Sequence, residues 1–172
     1  MLRECMNSRS EHLARFLLIA YFTGTRPGTI FRLRWTHSLN DPWVDLQTGV
    51  LHRKGKLEAT SKKRRGMCKL PRQILTLMRR WARDGGSHVV MFNGKPIKDI
   101  GKAIDGACAR AGVERFTPHT MKHTAVTRAF QNGMTKEDAA EFFATSAETL
   151  ERVYREHSPE YQNRAVSIME KR

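Results

Sequence analysis

The stretch TGTRPGTI, residues 23–30, predicts where one helix ends and the next begins. Upstream, apolar residues within 11–22 recur with the spacing i, i+3, i+4, i+7 and i+8, which marks one face of an α-helix. Gly24 suits a left-handed helix cap, and Pro27 suits the first turn of a new helix. The sequence therefore predicts two consecutive helices, with Arg26 at the entry to the second.

The remainder of the chain predicts a small sheet followed by further helices. Short strands separated by polar turns are expected at 44–46, 49–53 and 66–70. Helices are expected after Pro71, over 97–111, and through most of the chain from 117 onward, the last beginning at 158. The segment 89–92 fits either a fourth strand or buried coil. This order predicts an α+β domain that is mainly helical and carries a small antiparallel three-stranded sheet.

The charge of the chain predicts a polyanionic partner. Lys and Arg total 31 against 17 Asp and Glu, a net charge of +14 over 172 residues. Nucleic acid is the commonest partner of so basic a domain, with anionic lipid as the competitor. We find no signal peptide and no apolar run long enough to cross a bilayer, so we expect no membrane association. Three cysteines without a CxxC pair favour reduced thiols and a cytoplasmic location.

The basic charge is densest between residues 53 and 72. This run holds nine basic residues and one acid, Glu58. A solvated hairpin is the alternative interpretation, but so many like charges repel one another unless a phosphate backbone lies against them. We expect contacts to double-stranded DNA from Lys54, Lys56, Lys63, Arg64 and Arg65.

Two further motifs accompany the first. TPHTMKHT occupies 117–124 and ETLERVY occupies 148–154, while Leu33 and Trp35 follow the TGTR segment. Together they resemble the tyrosine recombinase (phage integrase) family, whose boxes look like TGxR with LxW, TPHxLRHT and ETxERxY. The resemblance covers about residues 11–165, in order and in spacing. It implies an integrase-like catalytic fold and site-specific DNA recombination.

The resemblance also implies the catalytic residues, which are Tyr154, Arg26, Lys62, His119 and Lys122. In the implied reaction the tyrosine is the nucleophile and forms a covalent 3′-phosphotyrosyl link. Arg26 holds the scissile phosphate with two parallel hydrogen bonds, and His119 exchanges a proton near neutral pH. Lys62, with Lys63 as the neighbouring candidate, protonates the leaving 5′ oxygen. No metal or cofactor is required.

The chain departs from the family pattern at three places. Lys122 stands where the family has a second arginine. The lysine keeps the positive charge but lacks the planar guanidinium fork of an arginine. The family's late His or Trp falls at Ala144 or Thr145, and His157 is a candidate to compensate for it. Thr29 stands where the family has an acidic residue. We expect the departures at Lys122 and Ala144 to weaken the activity.

The domain organisation follows from the same resemblance. We expect residues 1–172 to form one catalytic domain, without the N-terminal domain that closes a clamp around DNA in the family. A homotetramer on two DNA sites is implied, with the helix at 158–172 exchanged between subunits. An isolated domain would be a monomer or dimer.

Three alternative functions remain open at this point. The first is a degenerate relative that binds DNA without cutting it, and the second is an unrelated basic RNA-binding or structural module. The third is a type IB topoisomerase, which has the same chemistry without site preference. A zinc site at His119 and His123 is disfavoured because no third ligand accompanies them.

Overall fold

The computed structural model describes residues 11–59, 65–154, 166 and 168–170, with the backbone alone at 153 and 154. Its helices are α1 (Glu11–Thr23), α2 (Pro27–Phe31), α3 (Arg72–Trp81), α4 (Gly101–Ala111), α5 (Thr120–Gln131), α6 (Lys136–Phe142) and α7 (Ala147–Tyr154). A short 3₁₀ turn, Ala82–Asp84, follows α3. The mainly helical α+β domain predicted from the sequence is confirmed.

Three short strands form the predicted antiparallel sheet. They are β1 (Trp43–Asp45), β2 (Val50–His52) and β3 (Met67–Lys69), in the order β1-β2-β3. Val44, Leu51 and Cys68 align across the sheet and are all buried. Each strand thus turns its central side chain into the core and leaves its outer residues more exposed, as the two-residue period of a half-buried sheet requires.

The segment after the 3₁₀ turn contains a second, two-stranded sheet. Met91–Phe92 (β4) pairs with Lys95–Pro96 (β5) around Asn93 and Gly94. Both turn residues have positive φ, 50° and 73°, as a tight hairpin turn requires. Of the two interpretations of 89–92, the strand therefore applies only to 91–92.

Two apolar clusters form the core of the described residues. The larger one lies between α1, the three-stranded sheet, α3 and α4, and includes the fully buried Phe16, Leu33 and Ile74. The smaller one joins α5, α6 and α7 through residues such as Val126, Phe143 and Leu150. Because α1 packs against α5, the TGTR segment at the end of α1 lies where the two clusters meet.

Several helix ends follow the local signals in the sequence. Gly24 has φ +58°, and Pro27 opens α2. The hydroxyl of Thr135 accepts a hydrogen bond from the amide of Asp138, and the hydroxyl of Ser146 accepts one from Thr149. These side chains satisfy amides that helix starts leave without intrahelical partners.

Two predicted helix starts are wrong. The helix expected over 97–111 begins at Gly101, because Asp99 bonds the Gly101 amide in a turn and Ile100 is buried as coil. Pro118 does not open α5, since Thr117 and Thr120 first close a turn through a 3.0 Å backbone hydrogen bond.

The three tryptophans differ in burial. Trp81 is buried, whereas Trp35 and Trp43 are half-buried, so the predicted core role holds fully only for the first. Trp43 stacks on His52 with ring centroids 4.0 Å apart. Met134 and Phe142 pack against the smaller cluster, as expected, and Phe143 belongs to it.

None of the described helices is both long enough and apolar enough to span a membrane.

Candidate phosphate-binding site

The TGTR segment holds Arg26 in an extended backbone conformation between α1 and α2. Arg26 occupies the N-cap position of α2, with φ −63° and ψ 145°, and its side chain makes no capping hydrogen bond to the helix. Two buried hydroxyls, those of Thr23 and Thr25, bond each other at 2.7 Å just before it. The turn is therefore fixed from inside by these hydroxyls, and the helix start does not use the guanidinium of Arg26 as its cap.

Arg53 supports this turn from the end of β2. Its guanidinium donates to Thr23 O at 2.9 Å, to Thr25 Oγ1 at 3.2 Å and to Gly66 O at 3.3 Å. Only 3% of Arg53 is exposed. Burial lowers the pKa of Arg53, and the nearby charge of Arg26 lowers it further. Arg53 thus joins the TGTR turn to the start of β3 and brings a second positive charge beside Arg26.

A change of Arg53 to lysine is expected to cost about 2 kcal/mol of unfolding free energy. Lysine keeps the charge but cannot serve three acceptors in one plane, so buried oxygens lose their partners. Thermal or urea unfolding measures the loss, with Lys69→Arg, an exposed change at the end of β3, as the control. Equal stability of Arg53→Lys and the wild type would contradict the supporting role.

Lys122 adds a third cation from α5. Its Nζ donates to Thr145 Oγ1 at 2.8 Å and makes a longer contact of 3.5 Å with Phe143 O. Only 7% of this lysine is exposed. Burial lowers the pKa of Lys122 to about 8, and the charges of Arg26 and Arg53 contribute to the shift. Three cations from separate parts of the chain therefore share one neighbourhood.

His119 lies at the N-cap of α5, one helical turn before Lys122, and is exposed. Burial lowers its pKa, followed by the influence of His123, Lys122 and Arg26. The rings of His119 and His123 meet edge to face with centroids 4.9 Å apart. Because the charges of Lys122 and Arg26 act on His119, this histidine belongs to the same group of charges.

The turn between α6 and α7 borders these charges. Amides of Ala144 and Thr145 bond back to Glu141 O and Ala140 O, which closes the end of α6 as a Schellman motif. Ala144 has φ +48° at the position where glycine is usual. The ring of Phe143 lies so close to Gly24 that a Cβ added there would stand 2.5 Å from Phe143 Cδ1. The turn thus packs directly on the TGTR segment.

Arg65 belongs to an ion-pair network beside the site. It pairs with Glu58, which also accepts a 2.7 Å hydrogen bond from Arg32. Arg32 in turn bonds Asp41 at 3.0 Å. The charge of Arg65 lowers the pKa of Arg26, after the larger effect of burial. The one acid of the basic run therefore holds Arg65 next to the site.

The predicted residues divide into three groups. The structure brings Arg26, His119 and Lys122 together, and Arg65 lies beside them. Lys54 and Lys56 are exposed on the loop after β2. The residues outside the described part are Lys62, Lys63, Arg64 and His157. Tyr154 is the last residue of α7, and its side chain also lies outside the described part.

Two residues had a role that the sequence analysis missed. Arg53 was counted within the solvent-facing basic run, yet Leu51, His52 and Arg53 continue the in-out alternation of β2, and this period would have placed Arg53 inward. Thr145 was considered only as a position where the late His or Trp of the family is missing. Its bond to Lys122 has no local sequence signal.

The chemistry of the site favours an anion. Among residues 11–59 and 65–154, no group of three or more His, Cys, Asp or Glu side chains is arranged to hold a metal ion. Burial lowers the pKa values of Arg26, Arg53 and Lys122, and repulsion by neighbouring cations lowers each of them further. A phosphate among them would offset that repulsion and accept their hydrogen bonds.

Comparison with known proteins agrees with this geometry. A model of the phage integrase family matches residues 1–160. The chain belongs to this family. The predicted resemblance is thereby confirmed, and a comparison with curated proteins gives no match.

Solved structures of phage integrase family members share the fold. The catalytic domain of bacteriophage HP1 integrase is 19% identical, with a TM-score of 0.63 over 96% of this chain and 87% of its own. XerA recombinase is 15% identical, with a TM-score of 0.70, covering 99% of this chain and 62% of its own. The Tn1549 transposon integrase, in complex with circular intermediate DNA, is 14% identical, with a TM-score of 0.73, covering 98% and 63%. The chain therefore spans less than two thirds of the XerA and Tn1549 chains.

Proposed function

We propose that this chain is the catalytic domain of a site-specific DNA recombinase that cuts and rejoins DNA through a 3′-phosphotyrosyl intermediate. The observation that carries the proposal is the convergence of Arg26, Lys122 and His119 on one region that suits a phosphate. Membership of the phage integrase family and the DNA-bound Tn1549 relative support it.

The reaction assigns a separate task to each group. The phenol oxygen of Tyr154 attacks the scissile phosphorus, a new P–O bond forms, and the bond from phosphorus to the 5′ oxygen breaks. Arg26 and Lys122 stabilise the charge on the non-bridging oxygens, and His119 accepts the phenol proton. Lys62 gives a proton to the departing 5′ oxygen. Reversal with another 5′ hydroxyl rejoins the strand, so no cofactor is consumed.

The basic surface binds the duplex outside the reacting phosphate. Lys54 and Lys56 are exposed on the loop after β2, and Arg65 lies beside the site. We expect Lys63 and Arg64 to add further contacts to the phosphate backbone of the DNA. These contacts position DNA without reading its sequence and make binding steeply salt-dependent. We propose a homotetramer on two DNA sites, with residues 158–172 exchanged between neighbouring subunits.

A nicked substrate tests the cleavage step. The nick lets the short strand diffuse away after cleavage, so the covalent protein–DNA adduct accumulates and is seen on a denaturing gel. The chain has three tyrosines, and peptide mass spectrometry is expected to locate the nucleotide on Tyr154 rather than on Tyr21 or Tyr161. Attachment to another tyrosine would exclude the assigned nucleophile.

The second candidate is a relative that binds DNA without cutting it. Lys122 in place of the second arginine, and Ala144 or Thr145 in place of the late His or Trp, favour this alternative. It predicts salt-dependent DNA binding with no adduct at any protein concentration.

A further inference from the structure

We propose that Thr145 is a positioning residue for catalysis, which holds Lys122 against the scissile phosphate and takes over part of the work of the missing His or Trp. The inference rests on the proposed function. It concerns how this chain positions the second of the two positively charged side chains that bind the phosphate. The residues that do so differ from the family pattern.

The contacts of Thr145 fit this role. Its hydroxyl accepts from Lys122 Nζ at 2.8 Å and donates to Phe143 O at 3.2 Å, so both capacities of the hydroxyl are used. The hydroxyl and Phe143 O hold the ammonium group on one side. A lysine lacks the planar fork that orients an arginine, so its direction must come from partners such as these.

The backbone fixes the hydroxyl itself. The amide of Thr145 bonds Ala140 O at 3.1 Å, and Ala144 adopts φ +48° directly before it. Phe143 anchors the same turn on Gly24, next to Arg26. The lysine that Thr145 orients is thereby kept in register with the arginine that binds the same phosphate.

The surrounding charges explain why Lys122 needs an orienting partner. Arg26 faces it from the entry of α2 and Arg53 from the end of β2, while His119 lies one turn earlier on α5. All three carry or can carry positive charge and repel the ammonium group. A neutral hydroxyl acceptor holds the ammonium group of Lys122 in place. A carboxylate at this position would instead compete with the phosphate for the positive charge.

Adduct formation tests the role. Thr145→Val, which keeps the shape and removes the hydroxyl, is expected to slow adduct formation by about 10- to 100-fold, because a hydrogen bond to a charged group is lost. Thr145→Ser should restore most of the rate. Thr76→Val removes an exposed hydroxyl from α3 and should leave the rate unchanged.

A double-mutant cycle separates positioning from a structural effect. If Thr145 acts through Lys122, adding Thr145→Val to Lys122→Met should slow the reaction no further.

The pH dependence of the initial rate of adduct formation should provide a second test. Lys122 must be protonated to bind phosphate, so the second-order rate constant for adduct formation by the wild type is expected to fall above about pH 8. Loss of the hydroxyl removes a bond to the charged form, so the fall should begin at lower pH in Thr145→Val.

NMR titration of the lysine side chains gives a readout that does not depend on cleavage. The Lys122 signal, assigned by its loss in Lys122→Met, should titrate at lower pH in Thr145→Val than in the wild type. A wild-type protein that forms adduct, with Thr145→Val equal to it in rate and in titration, would overturn the positioning role alone. Absence of any wild-type adduct would overturn the proposed function and this role in cleavage together.

Discussion

Adduct formation on a nicked substrate is expected to fall about 1,000-fold when Arg26 is replaced by alanine. Each preorganised donor to the charge of a transition state contributes about 100- to 1,000-fold in rate, and a guanidinium supplies two such donors to one phosphate. The half-buried position of Arg26, beside the charges of Arg65 and Lys122, is where a phosphate gains most from such donors.

The stability of Arg26→Ala should change little in comparison. Arg26 stands at the N-cap of α2 without capping it through its side chain, so the helix start does not depend on the guanidinium. Single-turnover adduct formation and thermal unfolding should be measured on the same preparation, with Tyr154→Phe setting the background. Arg79→Ala, on α3, removes an exposed guanidinium that bonds Leu46 O and should retain the wild-type rate. A small rate effect in Arg26→Ala, or equal losses in both variants, would remove the arginine from the proposed mechanism.

Gly24→Ala is expected to lower the free energy of unfolding by about 2–4 kcal/mol. A residue with a Cβ at φ +58° is strained by about 1–2 kcal/mol. The new Cβ would also stand 2.5 Å from Phe143 Cδ1 and 2.8 Å from Cε1. That ring is buried in the smaller core cluster and cannot move away without repacking, which adds about 1–2 kcal/mol. The melting temperature should fall by roughly 5–15 °C.

Gly112→Ala provides the matched control for the packing contribution. Gly112 ends α4 at φ +62°, yet nothing lies within 4 Å of an added Cβ. Its substitution therefore carries the backbone strain alone and should cost about 1–2 kcal/mol. Identical losses in Gly24→Ala and Gly112→Ala would show that the contact with Phe143 carries no energy.

The elements predicted most accurately are those with local signals. The apolar spacing of 11–22 gives α1 to within one residue, and Thr135 and Ser146 begin the helices that follow them. Each of these signals lies within one or two helical turns of the element it determines. The Asn93 and Gly94 turn is equally local, although the sequence analysis did not use it.

The parts of the site that depend on distant residues were harder to predict. Arg53 reaches Thr23 across 30 positions of sequence, and a count of basic residues in 53–72 hides its inward direction. The contact from Lys122 to Thr145 spans 23 positions and requires α6 to end on a left-handed Ala144, a residue that carries no turn signal. Motif spacing thus predicted which residues meet, whereas their orientation depends on tertiary packing.

The contact of the Phe143 ring with Gly24 has a mechanical consequence for the proposed cleavage of DNA. The helix that ends at Tyr154 starts two residues beyond the turn that carries Thr145. Because that turn packs on the loop of Arg26, the start of the helix that carries the proposed nucleophile is anchored to this loop. In the proposed tetramer we therefore expect any repositioning of Tyr154 to come from the end of the helix that carries it, while the turn at Thr145 stays in place.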